Sequence, residues 1–368
     1  MKNVAIVFGG RSCEREISIL TGVFTLNLID RQKYVPVPVY VHSDGRFYSS
    51  PDMFDLDVFK KKPYHFPEIV FSGGTVCSLG KNRRKIKPLV KIDVALNCCH
   101  GGWGEGGGVS ALTERLGIPS ASPKITESAV FLDKGLTKLF AKALSVPTVE
   151  YFKITDEDYK KRGAFFLRSV GERLKYPVVV KPVSLGSSIG VTLCYSEEET
   201  RAAVESVLEI DRAAIVERYL KNKSDVNCAA YLKDGEIVVS EPEIASSGGG
   251  IYSFSDKYDG NKKRAATAEL SDELRARARA YTRTIYKRMN VTGVVRMDYL
   301  LEDGELYLGE VNTIPGSLAY YLFCERISDA KAFFSDLIEE GLKKPVKRVI
   351  TASALSLVAA SGKRGVRI

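Results

Sequence analysis

Short apolar runs alternating with amphipathic stretches fill the first third of the chain, the pattern of a doubly wound α/β domain. Val4-Ala-Ile-Val-Phe8 reads as a buried strand, followed by Gly9-Gly10-Arg11-Ser12 and a helix from about Cys13. Val35-Pro-Val-Pro-Val-Tyr-Val41 is a second strand, and its two prolines place it at an edge. Ile92-Asp-Val-Ala-Leu-Asn-Cys-Cys99 is a third, running into His100 and a glycine-rich loop, Gly101 to Gly108. Further on, a helix is expected through Leu132-Asp-Lys-Gly-Leu-Thr-Lys138 and strands at 176–182 and 213–220. Ser271 to Met289 is amphipathic, with Asp272 and Glu273 in its first turn as a helix N-terminus favours. Ser328 to Glu340 also reads as helix. Residues 346–368 carry no assignable pattern.

The most informative segment is 294–312, two apolar strands meeting at Asp303-Gly304. Arg296, Asp298, Glu310 and Asn312 interrupt its apolar pattern. A two-residue Asp-Gly turn would put Asp298 and Glu310 on opposite faces. A three-residue loop, Glu302-Asp303-Gly304 with Gly304 as a bulge, puts all four on one face. Two carboxylates and an amide oxygen so placed repel one another unless a hard cation lies between them. The nearby arginine suggests a second negative group, a phosphate or a developing oxyanion. The alternative is a surface hairpin with its polar residues in water.

Composition leaves room for this chemistry. The 368 residues suffice for two or three domains. A hydrophobic share of 45% and a charged share of 27% favour neither disorder nor a fibrous class. The net charge of +9 suits an anionic small ligand, but a solvated basic surface is the commoner explanation. No nucleic-acid motif appears, and 3 histidines with 7 cysteines make no zinc pattern. The odd cysteine count points to reduced thiols in a cytoplasmic protein. No run reaches membrane-spanning length, and the apolar start is too short for a signal peptide.

Other candidate residues sit at strand ends beside glycines. Gly186-Ser-Ser-Ile-Gly190 offers backbone N–H groups and hydroxyls to a phosphate, or is only a turn. Lys181 ends a Val-Val-Val strand and needs an anionic partner unless that end is exposed. Glu14, after Gly9-Gly10, could bind a substrate ammonium group or merely cap a helix. His100 is either a structural histidine or a functional one. Residues 246–260, with three glycines, two aromatics and Lys257, read as a mobile loop.

Taken in order, these segments resemble the D-alanine–D-alanine ligases of the ATP-grasp superfamily, from about residue 3 to 340. The resemblance rests on Val7–Ser18, Cys99–Gly107, Leu132-Asp-Lys134, Val180–Gly190, Asp256-Lys-Tyr258, Arg296-Met-Asp298 and Glu310-Val-Asn-Thr-Ile-Pro-Gly316. It implies an N-terminal α/β substrate-binding domain at 1–123, central and C-terminal ATP-grasp subdomains at 124–215 and 216–345, and a tail at 346–368.

The resemblance also implies roles. Lys134 and Lys181 would hold ATP phosphates, with Ser187 and Ser188 closing over them and Lys257 reaching the γ-phosphate. Glu217, Arg218, Tyr219 and Leu220 would form the adenine hinge and Asp225 would bind ribose. Asp298, Glu310 and Asn312 would hold two Mg²⁺, with Mn²⁺ as a substitute. The first D-alanine would dock on Glu14 near His100, and its carboxylate would be phosphorylated. The amine of a second D-alanine would then attack, with Arg296 and the Gly316 N–H as oxyanion hole. Glu14, Ser187 and Tyr258 would tie a lid to the substrate. The product would serve peptidoglycan synthesis, and family members are commonly homodimers.

Three departures stand out. Glu105-Gly-Gly replaces Glu-Asp-Gly after the histidine, and Leu185 stands where an acid is common. Tyr321, beside Leu322, takes the place of a serine that would meet the second substrate's carboxylate. The acceptor could then be D-lactate, D-serine or another amino acid, while Tyr258 favours an amine. A regulator without turnover would have shed the charged positions that this chain retains.

Overall fold

The computed structural model describes residues 1–60, 66–80, 83, 85–245, 270–344 and 346, arranged around three sheets. The first contains β1 (Lys2–Gly9), β2 (Tyr34–Val41), β3 (Phe47–Tyr48), β4 (Glu68–Ser72), β5 (Thr75–Leu79), β6 (Ile86–Lys91) and β7 (Val94–Asn97). Its order is β6-β5-β4-β3-β2-β1-β7. β1 runs parallel to β2 and β7, as the alternating pattern predicts. The antiparallel β3 to β6 extend the sheet where the sequence pattern showed no strands. β3 reaches only Tyr40 and Val41 of β2. The stretch holding Pro36 and Pro38 therefore pairs with β1 alone, which suits residues without an N–H to donate.

The second sheet, order β10-β9-β11-β8, comprises β8 (Tyr151–Thr155), β9 (Val178–Pro182), β10 (Thr192–Cys194) and β11 (Ala213–Arg218). It is antiparallel, and β11 runs across the expected 215/216 boundary. The third comprises β12 (Ser224–Lys233), β13 (Glu236–Val239), β14 (Glu243–Ala245), β15 (Val295–Glu302) and β16 (Glu305–Asn312). Its order is β13-β12-β15-β16, with β14 also pairing β12.

The helices are α1 (Arg15–Leu28), α2 (Val109–Arg115), α3 (Ile125–Leu132), α4 (Lys134–Ala143), α5 (Asp156–Arg173), α6 (Glu197–Ile210), α7 (Asp272–Met289) and α8 (Ala330–Leu342). The helix expected through 132–138 is two helices broken at Asp133. Asp133 has extended backbone and caps α4 by accepting from the Leu136 N–H at 3.0 Å. Its carboxylate also binds Lys153 and Arg212, so side-chain chemistry overrides helix continuity. α7 matches its sequence signals, with Ser271 bonding the Leu274 N–H and Asn290 closing the end in the left-handed region.

α8 locks the ends of the chain together. Phe333, Phe334, Leu337 and Ile338 are buried in one core with Val4, Ile6 and Phe8 of β1, Leu26 of α1, and Ala229 and Tyr231 of β12. Each such side chain contributes about 1.5–3 kcal/mol by leaving water. This packing holds the C-terminal ends of β1 and β7 against the loop after β16. The candidate site lies there. No described helix is long and apolar enough to cross a membrane.

Candidate active site

The β15–β16 hairpin brings Asp298 opposite Glu310 and Arg296 opposite Asn312. The shared face was expected; the device that makes it is different. Glu302 pairs with Glu305, so the turn is the two-residue Asp303-Gly304, both with positive φ (51° and 79°). Gly309 is the extra residue, because Tyr299 pairs with Leu308 and Asp298 with Glu310. The burial phase records the slip: Leu306 and Leu308 are buried, then Val311. A Cβ on Gly309 would lie 3.0 Å from the Asp298 carbonyl oxygen, so the bulge favours a glycine.

Basic groups supply counter-charge to the two carboxylates. Arg296 grips Asp298 with two bonds, Nε to Oδ1 at 2.6 Å and Nη2 to Oδ2 at 2.8 Å. Its Nη1 donates to the Tyr321 hydroxyl at 3.0 Å. Burial disfavours the guanidinium charge, but Asp298 and Tyr321 outweigh it and hold the arginine protonated. Asn312 donates Nδ2 to Asp298 Oδ2 at 2.9 Å. Lys134 Nζ lies 3.7 Å from Glu310 Oε2 and donates to the Leu185 carbonyl at 2.7 Å.

A second charged group lies under β9 and β11. Lys181 Nζ donates to Glu217 Oε2 at 2.7 Å, and Lys138 Nζ lies 3.0 Å from Glu217 Oε1. Burial pushes the Glu217 pKa up, but the two lysines prevail and bring it down to about 2. Burial pulls the fully enclosed Lys138 down despite Glu217, whereas Glu217 overcomes burial and lifts Lys181. Lys181 thus has the anionic partner that the end of its strand called for, and the alternative of an exposed end does not hold.

Glu14 does not cap α1 with its side chain. It accepts from Ser187 Oγ at 2.5 Å instead. Glycines make its cradle: a Cβ on Gly101 or Gly186 would come within 2.8 Å of a Glu14 oxygen. Ser187 and Ser188 both have left-handed backbone, φ 53° and 58°, in the loop that reaches over it. His100 is buried, its Nε2 2.9 Å from Thr21 Oγ1. Burial and then Arg296 push its pKa down to about 4, so the ring is neutral at pH 7.

Glu105 is also central, although the sequence marks it only as part of a departure. Its Oε2 accepts from Gly101 N–H at 2.7 Å and its Oε1 from Ile314 N–H at 3.3 Å. Burial, with Glu14 and Glu310 nearby, raises its pKa to about 7. Lys138 and Thr21 were not anticipated either. A signal for Thr21 exists: Ser18, Thr21 and Thr25 form a buried hydroxyl stripe at helical spacing along α1.

The remaining candidates surround these groups. Arg218, ending β11, pairs with Glu302 at 3.3 Å, and its N–H donates to the Glu150 carbonyl. Tyr219 and Leu220 follow, with Leu220 buried. Asp225 is held by Lys223 at 2.8 Å. Gly316 has open space before it, since a Cβ there would meet nothing within 4 Å. Tyr321 and Leu322 are half-buried at the end of its turn. Lys257 and Tyr258 lie outside the described residues, as does the expected mobile loop.

The oxygens of Asp298, Glu310 and Asn312 form a hard donor set, and both carboxylates already attract cationic groups. They fit Mg²⁺ or Mn²⁺.

Two antiparallel sheets with Lys181 at a strand end, Lys134 at a helix start and a carboxylate-bearing hairpin are of the ATP-grasp class. The family model described as D-ala D-ala ligase N-terminus matches residues 3–123, and that for D-ala D-ala ligase C-terminus matches 140–343. The D-alanine–D-alanine ligase of Thermosipho africanus is 33% identical over 330 residues, covering 88% of each chain. The chain belongs to the D-alanine–D-alanine ligase family. Among solved structures, the D-alanine–D-alanine ligase from Helicobacter pylori shares its fold with TM-score 0.75 and 24% identity, covering 94% of this chain and 100% of that one. The VanG D-Ala:D-Ser ligase from Enterococcus faecalis matches with TM-score 0.76 and 24% identity, covering 92% and 99%.

Proposed function

We propose that this chain is an ATP-dependent ligase that joins two D-alanines through an acyl phosphate, making D-alanyl-D-alanine for peptidoglycan synthesis in the cytoplasm. The observation that carries the reading is the Glu14–Ser187 bond. It joins a carboxylate suited to an ammonium group and a hydroxyl of a glycine-flanked loop in one glycine-walled cradle, which supports the reading. Family membership supplies D-alanine and ATP as the substrates.

Glu14 takes the ammonium group of the first D-alanine. Lys134 and Lys181 meet the ATP phosphates, with Ser188 and Lys257 completing the grip and Glu217 aligning Lys181. The Arg218 amide is committed to Glu150, so adenine would be read by the Arg218 carbonyl and by Tyr219 and Leu220, with Asp225 on ribose. Bound to Asp298, Glu310 and Asn312, two Mg²⁺ would neutralise the transferring phosphoryl group. Arg296 and the Gly316 N–H stabilise the oxyanion when the second amine attacks. Glu14 and Ser187 tie helix and loop together, and the family resemblance would add Tyr258 to them, keeping water from the acyl phosphate. Two copies are expected to associate.

A second reading concerns only the acceptor. Tyr321 occupies the acceptor side and its hydroxyl is engaged by Arg296, and a D-Ala:D-Ser ligase shares the fold. Product analysis with D-alanine, D-serine and D-lactate supplied together tests both. Mainly D-alanyl-D-alanine supports the proposal, and a mixed product with no D-alanyl-D-alanine assigns another acceptor.

A further inference from the structure

The loop that carries Gly316 is held from outside its own sheet. Asn312 ends β16, and Ser317, Leu318 and Ala319 then take left-handed backbone in succession, φ 49°, 55° and 53°. Non-glycine residues resist that region by about 1–2 kcal/mol each, so surrounding contacts must impose it. Leu318 and Ala319 are buried. The ties come from the N-terminal part of the chain. Glu105 accepts from the Ile314 N–H, the His100 ring lies beside the Ile314 backbone, and Thr21 Oγ1 accepts from the Ser317 N–H at 3.2 Å.

Thr21 links two of these ties. Its hydroxyl is buried at the middle of α1, 2.9 Å from His100 Nε2. A threonine hydroxyl has one hydrogen to give. One turn on, Thr25 gives its hydrogen to the Thr21 carbonyl at 2.8 Å. Among the described residues Thr21 makes no matching bond to its own helix. With one oxygen lone pair taken by Ser317, the hydrogen and the second lone pair of Thr21 are left to meet the imidazole.

We propose that Thr21 is a positioning residue for the condensation step: it accepts from Ser317 N–H, donates to His100 Nε2, and so fixes the imidazole as its Nδ1–H tautomer. The Nδ1–H then serves the backbone of Ile314, and both bonds set the path of the peptide that presents Gly316. His100 acts on this loop and not on the ammonium group of the first substrate. Its low pKa, near 4, agrees, since a neutral ring carries a single N–H. The role in condensation rests on the ligase reading, while the tautomer does not.

The experiment compares wild type, Thr21→Val and Thr21→Ser by ring ¹⁵N shifts of the three histidines and by dipeptide kinetics. His100 is expected as the Nδ1–H tautomer in wild type and Thr21→Ser, with that preference lost in Thr21→Val. Thr21→Val should lower kcat by about 10- to 100-fold with KM for ATP nearly unchanged, as for a displaced supporting group. Thr21→Ser should restore most of the rate. An Nε2–H tautomer in wild type, or a wild-type kcat in Thr21→Val, overturns the proposal. Wild-type protein without ligase activity but with the Nδ1–H signature would sink the ligase reading alone. If Thr21→Val does not fold, the wild-type tautomer and Thr21→Ser still decide.

Discussion

Glu14 and Ser187 stand 173 positions apart and share a 2.5 Å hydrogen bond, with the serine donating. The bond joins the first helix to the loop after β9, and glycines on both sides leave the carboxylate room. Ser187→Ala should therefore lower kcat/KM for D-alanine by about 10- to 100-fold, the worth of one bond to a charged group. The KM for ATP should move far less. Steady-state ADP release at varied D-alanine reads both quantities.

The bulge at Gly309 sets which side chains of β16 share a face with Asp298. Gly309→Val drives a branched side chain toward the Asp298 carbonyl and should cost about 1–3 kcal/mol of stability. Because Asp298 and Glu310 move with the bulge, the Mg²⁺ concentration for half-maximal activity should rise as well. Thermal unfolding and a magnesium titration test the two effects separately.

Glu217→Gln leaves the buried Lys138 and the half-buried Lys181 without their carboxylate, and loss of one partner of a buried pair costs about 3–5 kcal/mol. Adding Lys138→Met should recover much of that loss, a non-additivity that chemical denaturation detects. The pH dependence has a definite sign. Glu217 in the fold lies below its ordinary value of 4.5, so its stabilisation is present above pH 4.5 and fades as pH falls toward 2.

Glu105 behaves oppositely. Its folded value, about 7, lies above the ordinary 4.5. Its favourable contribution is present below pH 4.5 and is lost as pH rises through 7. Glu105→Gln keeps an acceptor for the Gly101 N–H but cannot ionise. The variant should gain Tm relative to wild type at pH 8.5 and gain less at pH 5. Melting curves at the two pH values without added magnesium provide the test.

Local chemistry made part of this legible from residues alone. The even spacing of Arg296, Asp298, Glu310 and Asn312 required some irregularity in the hairpin, and one exists. Asp303-Gly304 suits both a two-residue turn and a bulged loop, so the turn residues do not place it, whereas the apolar phase change from Leu308 to Val311 points to Gly309. The break at Asp133 was hidden because helical periodicity continues through it. Its partners Lys153 and Arg212 come from distant strands and loops. Lys138 sits on a helix face that reads as solvated, and only β11 reveals the carboxylate that buries with it. The short β3 to β6 offered little alternation to read, as β6 is mostly exposed.

The central claim is transfer of phosphate to a D-alanine carboxylate followed by amine attack. It is tested most directly with D-alanine labelled by ¹⁸O in its carboxylate, ATP and Mg²⁺, with mass analysis of all products. The account predicts D-alanyl-D-alanine together with inorganic phosphate that carries one label per dipeptide formed. Unlabelled phosphate, label appearing in AMP, or no dipeptide at saturating D-alanine would contradict it.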